Sequence, residues 1–166
     1  MIAGFIMIIA GGFTWALVTS QLKDEHITVA AVTPEEPGRY AGKEVAGPFT
    51  AYAQAAAIQY HALAGANDRT YAQIGEDLRA LKDKLKAAGA SDTDIADNAE
   101  VKALTATRTS TMNGTFLRTS LFASVISYGV AALVMGLGVI FILLGYALMK
   151  VPNTMVTVPE SAPAKE

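Results

Sequence analysis

Residues 133–150, LVMGLGVIFILLGYALMK, decide the fold class of this chain. They end an uncharged run that covers the 31 residues 119–149, between Arg118 and Lys150. A helix of that length, rising about 1.5 Å per residue, is longer than the roughly 30 Å hydrocarbon core of a bilayer. A chain of 166 residues has too little material to cover such a helix on all sides, as a soluble core would. The run therefore predicts a transmembrane helix.

A second uncharged run, MIAGFIMIIAGGFTWALVTSQL, covers residues 1–22 and ends at Lys23. It lacks the basic start, the short apolar core and the small-residue cleavage site of a secretory signal, so we expect an uncleaved span. The two runs predict an all-α membrane protein built on a two-helix transmembrane hairpin. Its expected parts are a first span at 1–22, a mainly helical extramembrane domain at 23–118, a second span at 119–149 and a disordered cytoplasmic tail at 150–166.

Charge leaves the orientation of this hairpin open. Residues 23–118 hold 11 of the 13 Lys and Arg residues but also 13 acidic residues. The preference of basic residues for the cytoplasm applies to short loops and fails for long translocated domains. The balanced charge also excludes a basic surface for nucleic acid. Since the chain has no cysteine, disulfides and thiolate metal ligands are excluded as well.

The domain between the spans shows two helix patterns. The segment HITVAAV, residues 26–32, is the one candidate for a short strand, and Pro48 begins a helix that we expect to end at Leu63. An aromatic stripe at helical spacing predicts the packing face of this helix; it comprises Phe49, Tyr52, Ala56, Tyr60 and Leu63.

A second helix begins at a capping box of Thr70 and Gln73 and ends before Gly89. Its apolar seam repeats at alternating spacings of three and four and should pack on the helix at 48–63; it comprises Tyr71, Ile74, Leu78, Leu81 and Leu85. We expect residues 91–113 to be partly helical and continuous with the second span.

Candidate catalytic chemistry is scarce in this sequence. His26 and His61 are the only histidines, and an iron site would have to combine them with Glu25 or Glu44, although no ligand spacing links them. The acidic stretch SDTDIADNAE at residues 91–100 lacks the glycine and the final acid of a calcium loop, so its carboxylates indicate a helix start. We therefore expect no metal, no cofactor and no small-molecule substrate.

Small residues recur at helical spacing within both spans. Such residues let helix backbones approach in lipid, and they are the predicted helix-packing and partner-docking positions. They comprise Gly12, Ala16, Ser20, Gly129, Ala132, Gly136, Gly138 and Gly145. The glycine pair 129/136 and the pair 138/145 lie on roughly opposite faces of one helix, so only one pair can meet the first span. Aromatic anchors at the membrane–water interface are expected at Trp15, Tyr128 and Tyr146.

Three stretches resemble a family of small actinobacterial two-span membrane proteins that often carries the label aromatic ring-opening dioxygenase. They are TWALVTSQLKDEHITV (14–29), AGKEVAGPFTAYAQAAAIQYHALAGANDRTYAQI (41–74) and NGTFLRTSLFASVISYGVAALVMGLGVIFILLGYAL (113–148). The resemblance covers about two thirds of the chain, and residues 78–111 depart from it. It implies a plasma membrane protein with both termini in the cytoplasm and the central domain outside. No catalytic motif lies within the matching residues.

Three functions are compatible with these observations. The one we favour is a non-catalytic accessory, assembly or stabilising subunit of a larger membrane complex, such as a respiratory complex, whose partners are other membrane proteins and the lipid bilayer. The alternative is a freestanding envelope protein whose outward domain binds a cell-wall or lipid component. The third, a metal-dependent oxygenase, is disfavoured because such an enzyme needs a metal site and the two histidines form no recognisable one. A transporter or pump acting alone is disfavoured because neither span contains a charged residue or a histidine.

Overall fold

The computed structural model describes residues 1–151, which form five helices. In chain order they are α1 (Ile2–Asp24), α2 (Pro48–Gly65), α3 (Tyr71–Ala87), α4 (Asp92–Asp97) and α5 (Ala99–Lys150). The expectation of an all-helical chain is confirmed for this range, where an isolated bridge is the only β pairing. The tail expected at 150–166 lies outside the described residues from position 152 onward.

The 52-residue helix α5 is the axis on which the other helices pack. At about 1.5 Å per residue it is roughly 78 Å long. Its C-terminal part lies against α1, and its N-terminal part contacts α2, α3 and α4, which together with residues 99–122 we call the helical head. The helix passes the expected domain boundary at 118/119 without a break.

Helices α1 and α5 are each long and apolar enough to cross a membrane. In both, only 11% of the most apolar window is buried within the protein. The core helix of a soluble protein would bury most of such a window. In α1 and α5, by contrast, nothing in the described chain covers most of the apolar side chains.

Residues 25–47 connect α1 to α2 and cover one side of α2. Thr28 and Glu44 form an antiparallel bridge, and the N–H of Val29 donates to the Lys43 carbonyl at 2.8 Å. The N–H of Ala30 donates to the buried side chain of Gln54 at 2.7 Å. The strand expected at 26–32 is thus reduced to one bridge, because the chain turns away through its proline- and glycine-rich part.

The packing face of α2 differs from the expected one. Its buried residues are mostly alanine, whereas all three aromatic residues of the expected packing stripe are exposed: Phe49 by 71%, Tyr52 by 57% and Tyr60 by 45%. Small side chains allow α2 to approach both α5 and the 25–47 connection, and this close approach turns the larger rings outward. The buried residues are Ala51, Gln54, Ala55 and Ala57.

Both ends of α3 are confirmed. Thr70 and Gln73 form the capping box, and Gly89 takes the left-handed conformation at φ +85°. The seam of α3, however, packs on α5 and α4 rather than on α2. Leu78 joins a buried cluster with Ile95 of α4 and Val101 of α5. The reason is that α5 begins well before the uncharged run and brings its own apolar residues to the seam.

The acidic stretch begins α4, as expected. Ser91 caps the helix, and its hydroxyl donates to the Asp94 carboxylate at 2.6 Å. Together with the Ser91 backbone N–H, this hydrogen bond lowers the pKa of Asp94. Asp97 forms an ion pair with Lys102 at 2.8 Å. The carboxylate of Asp94 therefore stabilises the start of α4, and that of Asp97 links the end of α4 to the first turn of α5.

Candidate helix-docking surface

Glycines allow α1 and α5 to approach closely along their antiparallel contact. A Cβ atom placed on Gly138 would lie 2.7 Å from the Gly4 carbonyl oxygen and 2.8 Å from Cγ1 of Ile8. One placed on Gly11 would lie 2.6 Å from Cγ of Met135 and 2.8 Å from the Ala131 carbonyl oxygen. These distances leave no room for a side chain, so the contact depends on glycine.

A polar and aromatic group closes the end of this contact that lies nearer the helical head. The Tyr128 side chain is only 1% exposed, and its hydroxyl oxygen lies 2.8 Å from Oγ1 of Thr19. Since the Thr19 hydroxyl donates to the Trp15 carbonyl at 3.0 Å, Tyr128 is the donor to Thr19. The Trp15 ring packs edge-on against Tyr128 with centroids 4.6 Å apart. The group thus joins α1 to α5 by a hydrogen bond and by ring packing.

The three expected interfacial anchors therefore fall into two classes. Tyr128 is buried between the helices and Trp15 is partly buried beside it, so both rings stabilise the helix contact. Both had been expected to face the membrane–water interface. The difference arises because Tyr128 lies on the same heptad-spaced face as Ala131 and Gly138, which α1 covers. Tyr146 is 53% exposed, and the Lys150 ammonium lies 5.7 Å from its ring centre.

We expect Tyr128→Phe to lower the stability of the α1–α5 contact by about 0.5–1.5 kcal/mol, the usual net value of one hydrogen bond. Tyr146→Phe is the matched control, because the Tyr146 ring is exposed. Denaturant titration in mild detergent measures both changes. Equal midpoints for the two variants would show that the Thr19 hydrogen bond contributes nothing.

The remaining small residues point away from the α1–α5 contact. A Cβ atom on Gly12, Gly129 or Gly136 would have no atom within 4 Å. Ala16, Ser20 and Ala132 are exposed. Of the two glycine pairs, 138/145 lies against α1, where a Cβ on Gly145 would meet Met1, and 129/136 faces outward. We call the outward set the outer small-residue face: Gly12, Ala16, Ser20, Gly129, Ala132 and Gly136.

This face lies on one side of the helix pair. Gly12 directly follows the contact residue Gly11, and Gly136 directly follows the contact residue Met135. Each step of one residue rotates the side-chain direction by about 100°. Because α1 and α5 run in opposite directions, the same rotation turns both positions to the same side of the pair. A shallow depression lined by Gly12, Trp15, Ala16 and Met135 marks the α1 part of this side.

Gly4 and Gly11, which carry the α1 half of the contact, were not among the predicted positions. Gly12 was predicted instead, because it shares a four-residue spacing with Ala16 and Ser20. The contact residues lie at alternating spacings of three and four, both on α1 (Gly4, Ile8, Gly11 and Trp15) and on α5 (Tyr128, Ala131, Met135 and Gly138). Gly129, Ala132 and Gly136 of the outer small-residue face share this spacing, so the spacing alone does not show which face is covered.

The two histidines lie at different places in the fold. His26 is exposed in a left-handed conformation (φ 52°) just after α1, and Nε2 of His61 on α2 lies 2.7 Å from the Ala31 carbonyl oxygen. Among residues 1–151, no group of three or more His, Asp or Glu side chains is arranged to hold a metal ion.

No protein-family model, no curated protein and no solved structure matches this chain.

Proposed function

We propose that α1 and α5 cross the plasma membrane as an antiparallel pair, with the helical head outside the cytoplasm and both chain ends inside it. The length and apolar character of both helices support this placement, as does the exposure of their large apolar side chains. Contact between these apolar side chains and lipid has no free-energy cost, whereas their exposure to water is unfavourable. Lys23 and Arg118 then lie at the level of one membrane surface, and Lys150 lies at the other.

We further propose that the chain is a non-catalytic accessory or assembly subunit of a larger membrane complex, for which a respiratory complex of an actinobacterium is one candidate. The outer small-residue face is the proposed docking site for a transmembrane helix of the partner. The observation that carries this proposal is the open space at Gly12, Gly129 and Gly136, which the contact between α1 and α5 does not use.

A protein helix is a better occupant of this face than lipid. Glycine exposed to lipid forfeits the dispersion contacts that a larger side chain would make, whereas a partner helix regains them by approaching the backbone closely. On another side of α5, Val130, Leu137 and Leu144 recur every seventh residue and already provide an ordinary lipid-facing surface. The outer small-residue face therefore favours a specific helix contact.

The test is a double substitution, Gly129→Leu with Gly136→Leu, in the full-length protein carrying an affinity tag. Two leucines would fill the open space and keep the partner backbone away, and overpacking of this kind costs about 1–3 kcal/mol per site. We expect at least a tenfold loss of the partner that co-purifies in mild detergent, while the helical head stays resistant to protease.

The matched control is Ala123→Leu with Val130→Phe. Both residues are exposed and lie seven positions apart on a side of α5 that faces neither α1 nor the outer small-residue face, so a comparable added volume should leave the partner bound. Retention of the same assembly by both double variants would reject partner docking and favour the freestanding envelope protein.

A further inference from the structure

A small groove in the helical head lies just above the proposed membrane surface. It has a volume of about 150 Å³ and is formed by α2, the start of α3, and α5. Its lining combines apolar and polar side chains, among them Gln59, Leu63, Tyr71, Thr111, Thr115 and Arg118. Thr111 and Thr115 donate their hydroxyl protons to carbonyls four residues earlier in α5. Gln59, Tyr71 and Arg118 are therefore the lining side chains with hydrogen-bond donors to offer a ligand.

The charge of this groove favours an anion. Arg118 is its only charged lining residue, and no carboxylate lines it. Within residues 1–151, Arg118 forms no ion pair, and its buried Nε has no hydrogen-bond partner. A buried N–H without an acceptor is costly, and an anionic ligand in the groove would supply an acceptor to Arg118. The Phe122 ring, 5.1 Å from Cζ of Arg118, holds the guanidinium from one side.

The position of the groove indicates where that anion comes from. Arg118 is the last charged residue before the uncharged run of α5, and Phe122 follows one helical turn later. Tyr52 packs edge-on against Phe122 at 5.8 Å, and the neighbouring Phe49 is 71% exposed. Exposed aromatic rings of this kind are typical of the membrane–water interface. Next to the proposed bilayer, the groove lies within reach of lipid headgroups.

We propose that this groove binds the phosphate headgroup of an anionic membrane lipid. The planar guanidinium of Arg118 pairs with two phosphate oxygens, and the amide of Gln59 and the hydroxyl of Tyr71 supply neutral donors. Phe49, Tyr52 and Phe122 contact the glycerol and upper acyl region of the same lipid. The inference rests on the proposed membrane placement but not on partner docking, since the outer small-residue face is a separate surface.

The test measures the lipid that stays bound to the full-length protein. The protein is reconstituted in bilayer discs of phosphatidylglycerol and phosphatidylcholine, and retained lipid is counted by native mass spectrometry. We expect retention of phosphatidylglycerol over phosphatidylcholine and at least a tenfold weaker retention in Arg118→Gln, as the loss of a charged hydrogen bond predicts. Arg79→Gln is the matched control, because this substitution removes the same charge at another place in the helical head. The Arg79 side chain is 86% exposed.

A second variant tests the groove without changing Arg118, in case Arg118→Gln does not fold. Thr115→Leu leaves Arg118 in place but adds volume at the groove, and Thr115 is exposed, so the helix should tolerate it. Reduced phosphatidylglycerol retention in Thr115→Leu supports the proposal even if Arg118→Gln does not fold. Unchanged retention in folded Arg118→Gln or in Thr115→Leu, or equal retention of both lipids, overturns it. If inorganic phosphate stabilises the wild type through Arg118 while no lipid is retained, the ligand is a soluble phosphate and the lipid assignment is rejected.

Discussion

Gly138→Leu is expected to separate α1 from α5. Even the Cβ atom of the new side chain would lie 2.7 Å from the Gly4 carbonyl oxygen, and that backbone cannot move without displacing α1. Since overpacking typically costs about 1–3 kcal/mol, and leucine adds three further carbons beyond Cβ, we expect a loss of at least about 3 kcal/mol. Trp15, the only tryptophan, packs on Tyr128 in this contact, so its fluorescence reports the separation during denaturant titration in mild detergent.

Gly136→Leu is the matched control for this measurement. It introduces the same side chain two positions away, where a Cβ atom meets nothing within 4 Å. Its unfolding midpoint should therefore stay near that of the parent protein. If both variants unfold at the same midpoint, the contact between α1 and α5 does not follow the glycines described here.

Ile74→Ala should destabilise the helical head without loosening the α1–α5 contact. Ile74 is fully buried on α3, and truncation of a buried isoleucine to alanine costs about 2–5 kcal/mol. Within the described chain, α3 contacts α4 and α5 but not α1. At about 1.4 kcal/mol per factor of ten, amide hydrogen exchange in α3 should become at least roughly 30-fold faster.

Arg79→Ala serves as the control on the same helix, because the Arg79 side chain is 86% exposed and its ion pair with Asp83, at 4.0 Å, is on the surface. Exchange in α3 should change little in this variant, and exchange in α1 should change in neither. Faster exchange throughout α1 in Ile74→Ala would mean that the head and the helix pair unfold together as a single unit.

The features that could be predicted from the sequence are those set by local chemistry. The length of the two uncharged runs alone identified both apolar helices, because a long apolar run without charges is typical of a helix that crosses a membrane. The start of α3 was predicted from Thr70 and Gln73, and its end from Gly89, since caps depend on residues within one turn. The continuity expected between residues 91–113 and the second apolar run is confirmed from Ala99 onward, where α5 begins, whereas Asp92–Asp97 form the separate helix α4 that Asn98 ends.

The choice of contacting faces could not be predicted in the same way. Gly11 and Gly12 are chemically identical neighbours, and only the position of α5 determines which of them is covered. The aromatic residues of α2 were expected to be buried because they are hydrophobic. Alanines are buried instead, because α5 approaches α2 closely. The groove at Arg118 combines residues from three helices that are far apart in the chain, so no local spacing indicates it.

Both proposals depend on the antiparallel crossing of the membrane, and thiol labelling tests that crossing most directly. Because the chain has no cysteine, Ala80→Cys on the exposed side of α3 and Ser161→Cys in the C-terminal tail each introduce the only thiol. A membrane-impermeant reagent on intact cells should label Ala80→Cys and should reach Ser161→Cys only after permeabilisation. Equal labelling of both positions on intact cells would contradict the antiparallel crossing.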